Sequence, residues 1–235
     1  MQSVMTIDPG GRADYFAVLT ANIDRTSILI TDAIAWKKSD YPDIENFDGF
    51  VEQNIKQIYD IYKFDRVFCE TNNMGNTIIS SLRYRYRIPV RGVTTVGTAT
   101  DPKKIREGNL MAKTQTIEWV NRYREAGVIQ LPRTLTRGLK MLLEQCDNFG
   151  AKIVNGKVKY EALQGHDDFI TCLNLQVHYA RKIIEISGNP LSVGVEKGQR
   201  PKTKLEIIIA KKASQAKTLG TIEKIDVDDV NYFSA

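Results

Sequence analysis

The sequence predicts an α/β domain, and three features indicate this class. The first third of the chain reads as β-β-β-α-β. Residues 44–62 carry apolar side chains at steps of three and four, as on one face of an amphipathic helix. The 235-residue chain is 42% hydrophobic and 26% charged, which is ordinary for a globular domain. We therefore expect a central sheet covered by helices.

The elements of the first half follow from local signals. Residues 3–8 form a short apolar strand that ends at an Asp-Pro-Gly-Gly turn. Segments 14–23 and 27–36 are rich in β-branched and aromatic residues and are separated by a short polar stretch, which predicts a hairpin. The elements expected next are a helix over 43–64, a buried strand over 66–71, a short helix over 77–86 and a strand over 90–96.

The second half is expected to be mainly helical. Asp101 and Pro102 are typical of a helix start and Gly127 of a helix end, so we expect one helix across 101–126. Asn155-Gly156 is a strong hairpin signal. The remaining expected elements are an extended segment over 128–131, an amphipathic helix over 135–149, a hairpin over 152–163 and a helix over 166–187.

The sequence changes character after this last helix. Residues 197–217 contain seven Lys or Arg residues and a single acid. We therefore predict a domain over 1–187 and a basic C-terminal appendage over 188–235, partly mobile, with one strand around 205–210.

The composition excludes several classes of protein. Three cysteines without a close pair argue against a disulfide framework, and two histidines offer no zinc-ligand spacing. The N-terminus lacks the basic and apolar regions of a secretory signal, and no apolar run is long enough for a membrane helix. The formal net charge of +5 is compatible with a nucleic-acid partner.

Four acids stand where a metal site would need them. Asp8 ends the first strand, Glu70 ends the buried strand, and Asp167 and Asp168 lie in the first turn of the last helix, outside its apolar stripe. Mg²⁺ and Mn²⁺ prefer oxygen ligands, and two ions about 4 Å apart can hydrolyse a phosphodiester. Each acid alone has a simpler explanation as a turn, solvated or helix-dipole residue. Their order along the elements favours a shared site.

That order resembles the ribonuclease H-like nuclease superfamily, which includes RuvC-type resolvases. More closely, it resembles the C-terminal nuclease domain of the large terminase subunit of tailed viruses. The segments that carry the resemblance are 7–18, 68–78 and 165–175, with 103–113, 128–132 and 143–150 between them. The resemblance implies a central mixed sheet flanked by helices, with an added hairpin.

The resemblance also implies the activity. It predicts a metal-dependent endonuclease that cleaves double-stranded DNA, with two Mg²⁺ or Mn²⁺ ions bound by Asp8, Glu70 and one or both of Asp167 and Asp168. Asp14 is a candidate auxiliary ligand, although a loop acid is the simpler interpretation. His166 falls in phase with the apolar stripe, which favours packing over a direct role.

A DNA substrate requires cationic contacts. The sequence between 82 and 91 interleaves arginines and tyrosines, and the segment 103–113 is basic; solvated surfaces are the alternative interpretation. The residues expected to contact DNA are Arg83, Arg85, Arg87, Arg91, Lys103, Lys104, Arg106 and Lys113.

The resemblance suggests partners and a location as well. A large terminase carries an ATPase, but this sequence contains no G-x-x-x-x-G-K-[ST] phosphate loop. We therefore expect an ATPase domain, a small terminase subunit and a portal as partners, in the cytoplasm of an infected host cell. The alternatives are a RuvC-like resolvase or other nuclease of this fold, a non-catalytic nucleic-acid-binding module, and an actin-like kinase.

Overall fold

A mixed β-sheet forms the centre of the molecule. The computed structural model describes residues 1–11, 14–72, 74–97, 110–154 and 157–186. In this part of the chain seven strands pair in the order β6-β5-β4-β1-β2-β3-β7. Their bounds are β1 Gln2–Asp8, β2 Phe16–Ile23, β3 Ile28–Trp36, β4 Arg66–Glu70, β5 Val90–Val96, β6 Leu110–Ala112 and β7 Ile129–Gln130.

The register of the middle strands brings two acids to one end of the sheet. β1 is antiparallel to β2, and Asp8 lies opposite Ala17. β1 is parallel to β4, where Ile7 lies beside Cys69, one residue before Glu70. Asp8 and Glu70 therefore lie at the carboxyl ends of adjacent parallel strands.

Helices cover both faces of the sheet. On one face, α1 (Phe47–Tyr62) and α2 (Gly75–Tyr84) bury residues such as Ile55 and Ile78 against Ile7 of β1. On the other face, α3 (Lys113–Glu125), α4 (Arg137–Asp147) and α5 (Asp168–Ile186) pack on residues such as Leu19 of β2. α5 lies over β1 and β2, which fixes its first turn near the end of β1. No helix in the described ranges is long and apolar enough to cross a membrane.

Most elements agree with the sequence prediction, and one does not. The expected helix over 101–126 is wrong at Leu110–Ala112, which form strand β6 paired with β5, and a helix begins at Lys113. The pairing of Thr94 with Leu110 overrides local helix propensity here. Gly127 ends α3 as predicted, with a φ of +67°. Residues 98–109 lie outside the described ranges.

The added hairpin and the C-terminal region complete the comparison. Strands β8 (Phe149–Val154) and β9 (Lys157–Ala162) pair antiparallel as a separate two-stranded sheet, as predicted. The Asn155-Gly156 turn and the predicted appendage over 188–235, with its strand around 205–210, lie outside the described residues.

Candidate active site

Three elements direct acids to the same region of the molecule. Side chains alternate along a strand, and Val4 of β1 and Phe68 of β4 both contact the α5 layer. Asp8 and Glu70 have the same parity as these residues, so they also face α5. Asp168 is the first residue of α5, which packs on β1. The negative charges of Glu70 and Asp168 both raise the pKa of Asp8, so the three carboxylates are electrostatic neighbours.

Asp8 is held by the turn that follows it. The side chain is buried, and its Oδ1 accepts a hydrogen bond from the Gly10 N–H at 2.9 Å. Gly10 has a φ of +61°, and a Cβ there would lie 2.3 Å from the Tyr15 carbonyl oxygen. Glycine is therefore required for this tight turn. Burial, followed by the charge of Glu70, raises the pKa of Asp8 well above its ordinary value.

Glu70 lies where β4 meets the start of α2. A Cβ at Gly75 would lie 1.8 Å from the Glu70 carbonyl oxygen, so only glycine allows this close approach. Asn72 Nδ2 donates a hydrogen bond of 3.3 Å to Glu70 Oε1. Burial raises the pKa of Glu70, whereas the positive charge of Lys113 lowers it. Lys113 is therefore an electrostatic neighbour of the acids.

The two consecutive acids of α5 have different environments. The Asp168 side chain is only 7% exposed, and its Oδ2 is buried without a hydrogen-bond partner. Burial, followed by the charge of Asp14, raises the pKa of Asp168 to about 6. The Asp167 side chain is 33% exposed, and its Oδ2 accepts from Lys113 Nζ at 3.2 Å. Asp168 is the deeper and less satisfied of the two.

The sequence analysis favoured a packing role for His166, because it is in phase with the apolar stripe of the last helix. In the structure its contacts are mainly polar. Its side chain is 28% exposed, and its Nδ1 lies 3.2 Å from Asp14 Oδ1 and 4.0 Å from Asp168 Oδ2. The Tyr15 ring contacts it edge-on, with ring centroids 5.0 Å apart. On the other side, Lys37 Nζ lies 3.5 Å from Nε2. His166 thus links the acidic cluster to a cation.

The donor set has the chemistry that a hard divalent cation requires. All the acids offer carboxylate oxygens, and the buried Oδ2 of Asp168 has no hydrogen-bond partner among the described residues. Within the described residues, however, no three His, Cys, Asp or Glu side chains are already gathered closely enough to hold a metal ion. The residues therefore fit an ion in chemistry, and their side chains would have to converge further to bind one.

The expected DNA contacts fall in different places. Arg83, Arg85, Arg87 and Arg91 are exposed. α2 starts at the end of β4 beside Glu70, and β5 starts at the other end of β4, where Val67 pairs with Val90. The ten-residue α2, which is about 15 Å long, therefore carries Arg83–Arg87 towards the opposite end of the sheet. These arginines are therefore close to Glu70 in sequence but not in the folded structure.

Some of these arginines also have structural contacts. Arg83 Nε donates to the Val90 carbonyl oxygen at 2.7 Å, which ties α2 to β5. The Arg85 guanidinium lies 5.3 Å from the centre of the Tyr86 ring. Lys113 belongs to the acidic site instead, and Lys103, Lys104 and Arg106 lie outside the described residues.

Sequence reasoning missed Lys37 and the true position of Lys113. Lys37 follows directly after β3, and the pairing of Phe16 with Trp36 places it opposite Tyr15 at the end of the hairpin. The sequence predicted the hairpin but not its register, which shifts at a bulge between Thr20 and Ala21. Lys113 is brought to Asp167 by β6, an element that the sequence did not reveal.

Comparisons with known proteins identify the fold. No family model and no curated protein matches the sequence. The large terminase of a thermophilic bacteriophage matches in structure with a TM-score of 0.55 at 10% identity, over 78% of this chain and 40% of the phage protein. The manganese-soaked human cytomegalovirus terminase nuclease domain has a TM-score of 0.47 at 16% identity, over 79% of this chain and 85% of that domain. The large terminase nuclease domain of bacteriophage SPP1, with bound manganese, has a TM-score of 0.43 at 12% identity, over 74% of this chain and 84% of that domain.

The fold is assigned from the match to the thermophilic phage protein, which has the highest TM-score of the three structures described above. The domain has the ribonuclease H-like fold, with a mixed seven-stranded sheet flanked by helices and an extra hairpin. This confirms the fold predicted from the order of motifs.

Proposed function

We propose that this chain is a metal-dependent endonuclease that hydrolyses phosphodiester bonds of double-stranded DNA, as the nuclease of a viral genome-packaging terminase does. The observation that supports it best is the convergence of Asp8, Glu70 and Asp168 from three separate elements. All three carboxylates are largely buried and have raised pKa values. Burying like charges is costly, so a protein that retains such a cluster gains from an ion that neutralises it.

The acids take different roles in this proposal. Asp8, Glu70 and Asp168 would hold two Mg²⁺ or Mn²⁺ ions, which would supply a Lewis acid and lower the pKa of a bound water molecule. Asp8 ends the central strand, next to Glu70 of β4 and the start of α5, so it would be the acid best placed to contribute to both ions. Asp168 would be the direct ligand of the two helix acids, because its buried Oδ2 has no hydrogen-bond partner among the described residues. Asp167, bound to Lys113, positions the start of α5.

The wider setting of a packaging terminase forms part of the proposal. The partners would be an ATPase domain, a small terminase subunit and a portal, in the cytoplasm of an infected host cell. Cationic side chains, including Arg85 and Arg87, would contact DNA phosphates without reading bases.

Incubation with supercoiled plasmid tests the activity. The chain should nick or linearise the plasmid with Mn²⁺ or Mg²⁺, require no ATP and stop in EDTA. Asp8→Asn should keep the fold and lose cleavage, because it removes one ligand charge at nearly constant volume. Cleavage that persists in EDTA, or equal cleavage by Asp8→Asn, would contradict the proposal.

A further inference from the structure

Lys37 carries a positive charge beside the acidic cluster. It follows β3, and its strand parity matches Ala33 and Ala35, which pack in the α5 layer. Lys37 therefore lies on the face of the sheet that holds Asp8. Its ammonium contacts His166, which lies two residues before the start of α5.

The contacts of this ammonium are with two aromatic rings. Lys37 Nζ lies 3.5 Å from His166 Nε2 and 5.2 Å from the centre of the Tyr15 ring. An ammonium only donates, so Nε2 accepts and the imidazole proton lies on Nδ1, where it is donated to Asp14 Oδ1. The imidazole and the phenol ring hold Lys37 in place without neutralising it.

Lys37 differs in this respect from Lys113. Lys113 forms an ion pair with Asp167. In the described part of the chain, no carboxylate lies within 4.0 Å of Lys37 Nζ. A half-buried lysine without a counter-ion is unusual beside a group of acids, because such a side chain would gain from turning towards one of them. Its position is therefore suited to an anion that comes from outside the protein.

We propose that Lys37 is a preformed contact for a backbone phosphate of DNA at the edge of the acidic site, an inference that rests on the proposed function. An incoming phosphate is repelled by the carboxylates and attracted by this cation. The contact sets where the strand lies relative to the acids, so Lys37 acts as a positioning residue. Tyr15 and His166 restrict its rotamers before DNA arrives, which reduces the entropy lost on binding.

The neighbouring lysine provides a matched control. Lys38 is exposed, lies next in sequence, and begins the short 3-10 turn Lys38–Asp40 that leads away from β3. We would compare the full chain with Lys37→Gln, Lys37→Arg and Lys38→Gln. Binding to a fluorescent duplex would be measured in EDTA across a series of KCl concentrations, so that the result does not depend on cleavage. Melting temperatures would be recorded with and without Mn²⁺.

The expected result separates the two lysines. Lys37→Gln should weaken binding and lower the slope of log affinity against log salt by about one, and Lys37→Arg should restore most of that slope. Lys38→Gln should behave as the unchanged chain in the same assay. The rise in melting temperature with Mn²⁺ should be similar in all variants.

Two results would overturn the inference. One is a salt slope that is the same in Lys37→Gln and Lys38→Gln. The other is a Lys37→Gln variant that binds DNA normally but no longer shows the rise in melting temperature with Mn²⁺. That result would mean that Lys37 supports metal binding instead. A chain that binds DNA through Lys37 and never cleaves plasmid would contradict the proposed function and leave the phosphate contact standing.

Discussion

Lys113 Nζ lies 3.2 Å from Asp167 Oδ2, at the edge of a site that otherwise gathers buried carboxylates. The Lys113 side chain is 27% exposed, and its charge also lowers the pKa of Glu70. Lys113 therefore compensates part of the negative charge of the site when no metal is bound. An arriving metal ion takes over the same electrostatic role, so the two cations oppose each other.

Replacing Lys113 tests this competition. Lys113→Gln should lower the unfolding free energy of the metal-free protein by about 1 kcal/mol, because Asp167 loses its partner. The melting temperature should fall accordingly. The same variant should show a larger rise in melting temperature with Mn²⁺, because one repelling charge has gone. Thermal melts with EDTA and with Mn²⁺ measure both effects. A smaller Mn²⁺ effect in the variant would mean that Lys113 assists metal binding.

The two acids at the start of α5 should not be equivalent. Asp168→Asn should abolish cleavage and the Mn²⁺-induced rise in melting temperature, because it removes the buried carboxylate whose Oδ2 is unpartnered. Asp167→Asn should retain measurable cleavage, since its oxygen already binds Lys113 and its side chain is more exposed. Plasmid cleavage rates of the two variants, side by side, provide the measurement. The reverse order would make Asp167 the direct ligand.

The raised pKa of Asp168 predicts how stability depends on pH. This pKa is about 6 in the folded protein, against an ordinary value of 3.8. Between these values the folded state binds more protons at Asp168 than the unfolded state does, so the contribution of Asp168 to stability falls as pH rises through this window and is constant above it. The difference amounts to about 3 kcal/mol at about 1.4 kcal/mol per unit of pKa.

Asp168→Asn is the reference for this effect. In EDTA, the melting temperature of the unchanged chain should rise relative to the variant as the pH is lowered from about 7 to about 5. With Mn²⁺ the trend should reverse, because metal ligands must be ionised. Parallel melting curves across this range in EDTA would contradict the raised pKa.

The exposed arginines after α2 should affect binding and not chemistry. The double variant Arg85→Ala and Arg87→Ala should weaken binding to all duplex sequences alike and flatten the salt dependence by about one unit per lost contact. Its cleavage rate at saturating DNA should be unchanged, because the cluster lies at the other end of the sheet. Lys38→Ala with Lys140→Ala removes the same charge elsewhere and serves as the control. Equal salt slopes in the two double variants would indicate that Arg85 and Arg87 belong to a solvated surface that does not contact DNA.

The fold was predictable because its signals are local and periodic. The strand over 90–96 coincides with β5, and the apolar strand that ends at the Asp-Pro-Gly-Gly turn places Asp8 at the end of β1. Strand alternation and the parallel pairing of β1 with β4 then bring Glu70 to the same end. That these acids bind metal stays a prediction.

Other features depend on tertiary contacts that local patterns do not contain. β6 is three residues long and exists through its pairing with β5, so the helix signal at Asp101 concealed it. His166 lies in phase with the apolar stripe, yet it precedes the helix, where that phase no longer applies. The distance between Glu70 and the arginine cluster follows from the direction of α2 against the sheet.

Diffraction from a crystal soaked in Mn²⁺ tests the central claim most directly. Anomalous scattering locates Mn²⁺ independently of how the side chains are built. We predict manganese bound by Asp8, Glu70 and Asp168, with the acids drawn together relative to a crystal prepared in EDTA, and no such peak in Asp8→Asn. Manganese absent from this cluster at saturating concentration, in a protein that still cleaves DNA, would show that the reaction takes place elsewhere.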